Sequence, residues 1–256
     1  QIGSSGSGNH FVEFGVVAIT DTRNEFNLPV GEYLALLSHS GSRGLGAGIA
    51  QHYTRVAKEL CKLPAEAQNL AWLSLDSAEG QEYWLAMNLA GDFASACHHQ
   101  IHARIAQAIG EQPAAMVENH HNFAWKEMHG GQELIVHRKG ATPAGKGVLG
   151  VIPGSMTAPG HIVRGTGVAE SIASASHGAG RTMSRTQAKQ TIRPAEVKQH
   201  LEAHDISLIG GGLDEAPMAY KDIALVMDSQ RDLVEIIGTF TPKVVRMCGD
   251  GSAAED

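Results

Sequence analysis

From His10 to Thr20 apolar residues first alternate with polar ones and then close up (Phe11, Val12, Phe14, Val16, Val17, Ile19). That period predicts a strand running into a core. Asp21 to Pro29 reads as a hairpin-like loop, and Gly31 to Ser38 as a second strand that delivers His39 at its end. A helix is predicted from about Leu45 to Cys61, and Pro64 breaks the pattern. After a connector at Leu70–Ser77, the longest helical pattern runs from Glu79 to Ile109, with Tyr83, Met87, Ala90, Ala94, Ile101 and Ile105 near helical spacing. Short strands are expected at Leu134–Val136, Val148–Ile152 and Ile162–Gly167. Ser184–Gln190 and Pro194–His204 read as polar segments, helical or extended. Asp228–Ile237 reads as a helix and Pro242–Met247 as a last strand. Strands and helices alternate irregularly, with no repeat and no dividing linker. The expectation is a single α+β domain over residues 1–249, followed by an acidic, disordered tail at 250–256.

Composition narrows the function classes. The net charge of −7 gives no global attraction to nucleic acid, so any phosphate site must be a local basic patch. No apolar run reaches membrane-spanning length, and no secretory signal pattern opens the chain. Cys61, Cys97 and Cys248 are odd in number and far apart; they read as reduced thiols of a cytoplasmic protein. The 30 glycines and 14 histidines matter more, because many of the histidines stand beside glycine, serine or asparagine. Glycine lets a backbone approach a ligand closely, and imidazole serves as nucleophile, base or metal ligand.

His10 stands at the entrance of the first strand, and His39 opens the turn His39-Ser40-Gly41-Ser42-Arg43-Gly44. A strand end, a glycine-rich turn and a helix N-terminus together suit a phosphate, although no Gly-Lys-Ser/Thr of a P-loop occurs. His120-His121-Asn122 lies in a polar stretch between apolar flanks. His177 sits in Ser176-His177-Gly178-Ala179-Gly180-Arg181. Ser42-Arg43, Arg138-Lys139 and Gly180-Arg181 supply cations that could grip phosphates. His98, His99 and His102 on the long helix have no matching carboxylate, so a solvated or packed face is the better reading there. His120 is assigned a supporting role, and His52, His129, His200 and His204 read as surface residues. Histidine ligands with phosphate-gripping cations point to phosphoryl or nucleotidyl transfer, with a metallohydrolase as the competing reading.

Eight runs extend the pattern in order: Gly8-Asn9-His10-Phe11-Val12-Glu13, the His39 turn, Glu79-Gly80-Gln81, His121-Asn122-Phe123-Ala124, His137-Arg138-Lys139-Gly140-Ala141-Thr142, Pro153-Gly154-Ser155-Met156, the His177 hexapeptide and Tyr220-Lys221-Asp222. Together they resemble the RtcB family of RNA-splicing ligases. The resemblance implies an enzyme that uses GTP and two Mn2+ ions. It would join RNA 3′-phosphate or 2′,3′-cyclic phosphate ends to 5′-hydroxyl ends through a histidine guanylate, in tRNA splicing or RNA repair. By motif, His177 would be the guanylated nucleophile, and His10, His39 and His121 would be metal ligands. Asn9, Phe11, Glu13, Asn122, Pro153, Gly154, Ser155, Ala179, Gly180 and Tyr220 would contact the guanylate, and Arg43, Arg138 and Arg181 the phosphates or RNA. An archease-like activator would be a partner, and no membrane is implied.

Three departures qualify the match. The family pattern includes an upstream Asp and Cys that complete the metal pair, and none of Cys61, Cys97 or Cys248 stands in that context. The chain therefore reads as a C-terminal portion with little activity alone. Thr157-Ala158-Pro159-Gly160-His161 differs from the usual polar stretch, and Cys248-Gly249 stands where Lys-Gly is common; both bear on base recognition. A metal-dependent phosphoesterase and a non-catalytic RNA-binding module are the alternatives from other classes.

Overall fold

The computed structural model describes residues 2–248, so the tail expected beyond Gly249 lies outside the described residues. In chain order the elements are β1 (Phe11–Ile19), β2 (Gly31–His39), α1 (Arg43–Leu60), α2 (Ala78–Ile109), β3 (Asn122–His129), β4 (Gln132–Lys139), β5 (Ala141–Pro143), β6 (Leu149–Ile152) and β7 (Gly160–Gly165). There follow β8 (Ser174–Ser176), α3 (Arg185–Thr191), α4 (Pro194–Ala203), β9 (Ser207–Leu208), α5 (Ile223–Asp228) and β10 (Val234–Met247). Short 3₁₀ turns cover Ala65–Leu70, Leu213–Glu215 and Pro217–Ala219. The architecture is mixed α+β.

The main sheet has the order β2-β1-β10-β7-β6, with β9 pairing parallel to β10 and every other pair antiparallel. β3 and β4 form a separate hairpin, and β5 pairs with β8. β1 buries Glu13, Gly15, Val17 and Ile19, the two-residue period that one covered face requires. Three apolar clusters fill the C-terminal half. One joins Ile152, Val163 and Val234 to Ile223 and Met227 of α5; a second sets Leu201 of α4 against Val245 and Met247; a third gathers Ala188, Ile192, Ala216 and Ala219.

The α1–α2 hairpin is built differently. Ser77 caps α2 by accepting from the Gly80 N–H at 3.1 Å, and Gly110 ends it at φ +74°, a left-handed turn that glycine adopts without strain. Yet Ala57 is the one buried residue of α1, and α2 buries Gly80, Ala90, Ala94, Cys97 and Ile101 alone.

One expectation is corrected here and another extended. Asp222 rather than Asp228 starts the late helix: its carboxylate accepts from the Ala224 N–H at 2.9 Å, and α5 is finished at Asp228. The chain from Val234 onward is already β10, and the register shifts between Ile236 and Gly238. That bulge breaks the two-residue alternation and leaves buried Val234 and Ile237 at a helix-like spacing. The expected strand at Leu134–Val136 is the middle of β4, whose partner β3 begins inside the polar stretch at Asn122.

Candidate active site at the histidine cluster

Three strand ends bring the motif histidines together. Phe11 pairs with His39 across β1 and β2, so His10 and His39 emerge at the same end of the sheet. Asn122 pairs with Lys139, Ala141 pairs with Ser176, and Gly140 lies between the two ladders. Its N–H donates to the His121 carbonyl at 3.2 Å and its carbonyl accepts from the His177 N–H at 3.4 Å. One residue thus fastens both loops, at φ +73°. Gly178 packs on the Pro153 carbonyl, where an added Cβ would lie at 3.1 Å, so the Pro153–Ser155 turn sits directly under the His177 loop. Gly180 at φ +72° then turns the chain toward Arg181.

The four imidazoles form a continuous row. Ring centroids are 5.4 Å apart for His10 and His39, 4.9 Å for His39 and His121, and 4.8 Å for His121 and His177. Phe11 meets His39 edge-on at 5.6 Å. Burial holds the His39 pKa well below its ordinary value, and the neighbouring imidazoles of His121, His10 and His177 lower it further. His121 falls to about 4, again through burial first and His177 second. His177 is lowered by burial, with the Gly140 backbone opposing and the Lys139 ammonium adding to the shift. All three rings are therefore neutral near pH 7. Nδ1 of His177 is buried without a hydrogen-bond partner. A buried polar atom left unpaired is costly, and a nucleophile with a free lone pair is one use for it.

A cleft of about 1550 Å³ runs along this row. His10, His39, His121 and His177 line it together with Asn9, Phe11, Asn122, Pro153, Arg43 and Arg138. Glu13, Gly154, Ser155, Ala179, Gly180, Tyr220 and Arg181 are outside its lining. Glu13 is buried in β1, and desolvation raises its carboxyl from the usual 4.5 to about 8. Gly154 is required by the turn itself, since a Cβ there would meet the Pro159 carbonyl oxygen.

The cations divide. Arg43 heads α1 and lies 3.4 Å from His10 Nδ1 and 3.5 Å from the Ser5 carbonyl. Arg138 is buried and engages both oxygens of Glu127 at 2.6 and 2.9 Å, Ser174 Oγ at 2.8 Å and the Ile172 carbonyl at 3.1 Å. Arg181 donates to the Met183 carbonyl, the Asp214 carbonyl, Glu215 and the Tyr220 hydroxyl. Tyr220 in turn donates to Glu215, a carboxylate 2 % exposed that also receives Arg185. Arg138 and Arg181 are thus each held by several partners within the chain. Lys139 is the cation whose field reaches both His121 and His177; the sequence names it beside Arg138, and the motif alone assigns the phosphate role to Arg138. The two-residue period of β4 was the available signal: Arg138 and Lys139 must face opposite ways.

The supporting histidines are also placed. His120 stacks on Phe123 at 5.4 Å, and His98 and His102 both reach Ser38 while His99 faces Glu118. His129 contacts Glu127 and His200 contacts Thr157, so neither is a plain surface residue.

Imidazoles are a suitable donor set, by chemistry, for a divalent transition metal. As placed, the rings contact one another pairwise, and among the described residues no three His, Cys, Asp or Glu side chains surround a common point. His10, His39 and His121 therefore suit a metal in residue type and stand in adjacent pairs, without converging on one point as placed.

The histidines of the resembled family's motifs thus stand together along one cleft. Comparison with known proteins agrees: the family described as tRNA-splicing ligase RtcB matches residues 1–247, and the chain belongs to that family. It is 36% identical over 256 residues to the RNA-splicing ligase RtcB of Escherichia coli K12, covering 93% of this chain and 59% of that protein. It is 33% identical over 282 residues to the tRNA-splicing ligase RtcB of Nanoarchaeum equitans, covering 96% and 59%. The chain thus spans about 59% of the length of these relatives. No helix among the described residues is long and apolar enough to cross a membrane.

Proposed function

We propose that this chain carries the nucleotide-transfer portion of an RNA ligase, joining RNA 3′-phosphate or 2′,3′-cyclic phosphate ends to 5′-hydroxyl ends with GTP and Mn2+. The observation that carries the reading is His177, neutral, buried and with an unpartnered Nδ1 at the end of the imidazole row. A ring nitrogen of His177 would attack the α-phosphate of GTP, forming a phosphorus–nitrogen bond as pyrophosphate departs. The guanylate would then pass to an RNA 3′-phosphate, and the 5′-hydroxyl of the second RNA would displace GMP. Depression of the His177 pKa keeps the lone pair available at neutral pH. His10, His39 and His121 would hold the metal, whose part is to offset charge on the phosphate.

Asn9, Phe11, Asn122 and Pro153 line the same cleft and would bound the nucleotide. Arg43 and Lys139 stand at its margin as the cations for phosphate or RNA. Ala179 and Gly180 shape the His177 loop, while Tyr220 acts through Arg181. Gly154 and Ser155 would meet the guanylate only if the turn opened toward the cleft. Glu13, expected by motif to meet the guanylate, is buried in β1 outside the cleft lining and would act on the bound nucleotide through the strand that carries Phe11. An archease-like activator and a cytoplasmic location belong to the same reading.

The test is a joining assay on paired RNA oligonucleotides bearing a 3′-phosphate and a 5′-hydroxyl. GTP- and Mn2+-dependent joining is expected, slow in this chain and lost in His177→Ala. Release of inorganic phosphate without joining would favour a phosphoesterase instead. RNA retention with neither product would favour a binding module.

A further inference from the structure

Ser38 and Ser40 flank His39 at the end of β2, and a single imidazole of α2 holds both. His98 Nε2 lies 3.2 Å from the Ser40 carbonyl oxygen, which can only accept. The neutral ring therefore carries its proton on Nε2. Its Nδ1 is then an acceptor, 2.8 Å from Ser38 Oγ, so the serine hydroxyl donates to it. Ser38 Oγ in turn accepts from His102 Nε2 at 2.9 Å. Every donor in the series is directed: His102 to Ser38, Ser38 to His98, and His98 to the Ser40 carbonyl. Burial holds both ring pKa values low, which agrees with two neutral rings in fixed tautomers.

Side chains alternate across a strand, so Ser38 faces α2 while His39 faces away toward Phe11, His10 and His121. We propose that His98 is a positioning residue for His39: by gripping the chain on both sides of it, His98 sets where that ring stands in the imidazole row. These hydrogen bonds tie α2 directly to the chain on either side of His39. His102 completes the arrangement by supplying Ser38 with a donor. The inference rests on the reading of His39 as a working member of the site, and the readouts separate the two.

The experiment uses the whole chain, free of metal, with histidines labelled for NMR, as wild type, His98→Ala and His98→Gln. A glutamine amide keeps one donor and one acceptor in the same region; alanine keeps neither. The His39 ring resonances are expected to shift in His98→Ala and to return toward wild type in His98→Gln. Cobalt(II) affinity measured in parallel should fall about tenfold in the alanine variant and recover in the glutamine variant, the range usual for groups that orient metal ligands. Unchanged His39 resonances in His98→Ala would overturn the proposal, as would equal shifts in both variants. If the resonances behave as expected but the wild type takes no cobalt, the positioning role stands and the metal reading of His39 falls.

Discussion

Ile237 of β10 has none of its surface exposed, whereas Leu89 of α2 leaves 59 % of its own in the open. The pair stands for two regions that meet the histidine row from different sides. The sheet with α3, α4 and α5 holds all three apolar clusters and sets His10 and His39 at its strand ends, while the β3–β4 and β5–β8 pairs place His121 and His177. The α1–α2 hairpin exposes Leu60, Leu85, Leu89 and Ile109, and the connector between its helices adds Leu70 and Trp72. It is tied to the rest by polar links: His98 and His102 to Ser38, and Arg104 and Cys97 to the Gly3–Ser4 segment. The difference teaches that the motif histidines stand on strand ends rather than on the loosely packed hairpin. The hairpin instead supplies one open wall of the cleft and touches the site through a few directed hydrogen bonds.

The largest effect should come from the packed region. Ile237→Ala is expected to lower unfolding free energy by about 3 kcal/mol, the usual cost of a cavity at a fully buried position, read by urea denaturation. A loss below about 1 kcal/mol would mean that the sheet is no better packed than the hairpin.

Glu13→Gln should act in the opposite direction. The carboxyl ionises near 4.5 when unfolded and at about 8 when folded, so the unfolded chain alone gains charge as pH rises between these values. Stability is fully present below 4.5 and is progressively lost up to about 8. Removing that ionisation should raise stability at pH 7 by about 3 kcal/mol, with no gain at pH 4. An equal effect at both pH values would contradict the buried, protonated state.

Leu89→Ala should be the smallest change, within about 0.5 kcal/mol, because the side chain is already exposed. A cost comparable with Ile237→Ala would show that the hairpin face is covered.

Much of this division was readable in the chain. The alternation of Phe11 to Ile19, the run of Tyr83 to Ile105 and the glycine-framed histidines gave β1, α2 and the row of imidazoles. What escaped the pattern has local causes. A bulge in β10 mimicked helical spacing at Val234–Ile237. Arg138 and Arg181 resemble phosphate grips in a motif, but their partners, Glu127 and Glu215, lie 11 and 34 residues away. His98 and His102 gave only an i, i+4 pair; their shared partner Ser38 is 60 and 64 residues distant. Contacts at that range become visible only when the chain is folded.

The central claim is that His177 is the nucleophile of this site, and peptide mass spectrometry after incubation with GTP and Mn2+ tests it most directly. The account predicts an acid-labile, guanylate-sized mass gain on the peptide containing Ser176–Arg181, absent in His177→Ala. The same gain persisting in His177→Ala, or mapped to any other residue, would contradict it.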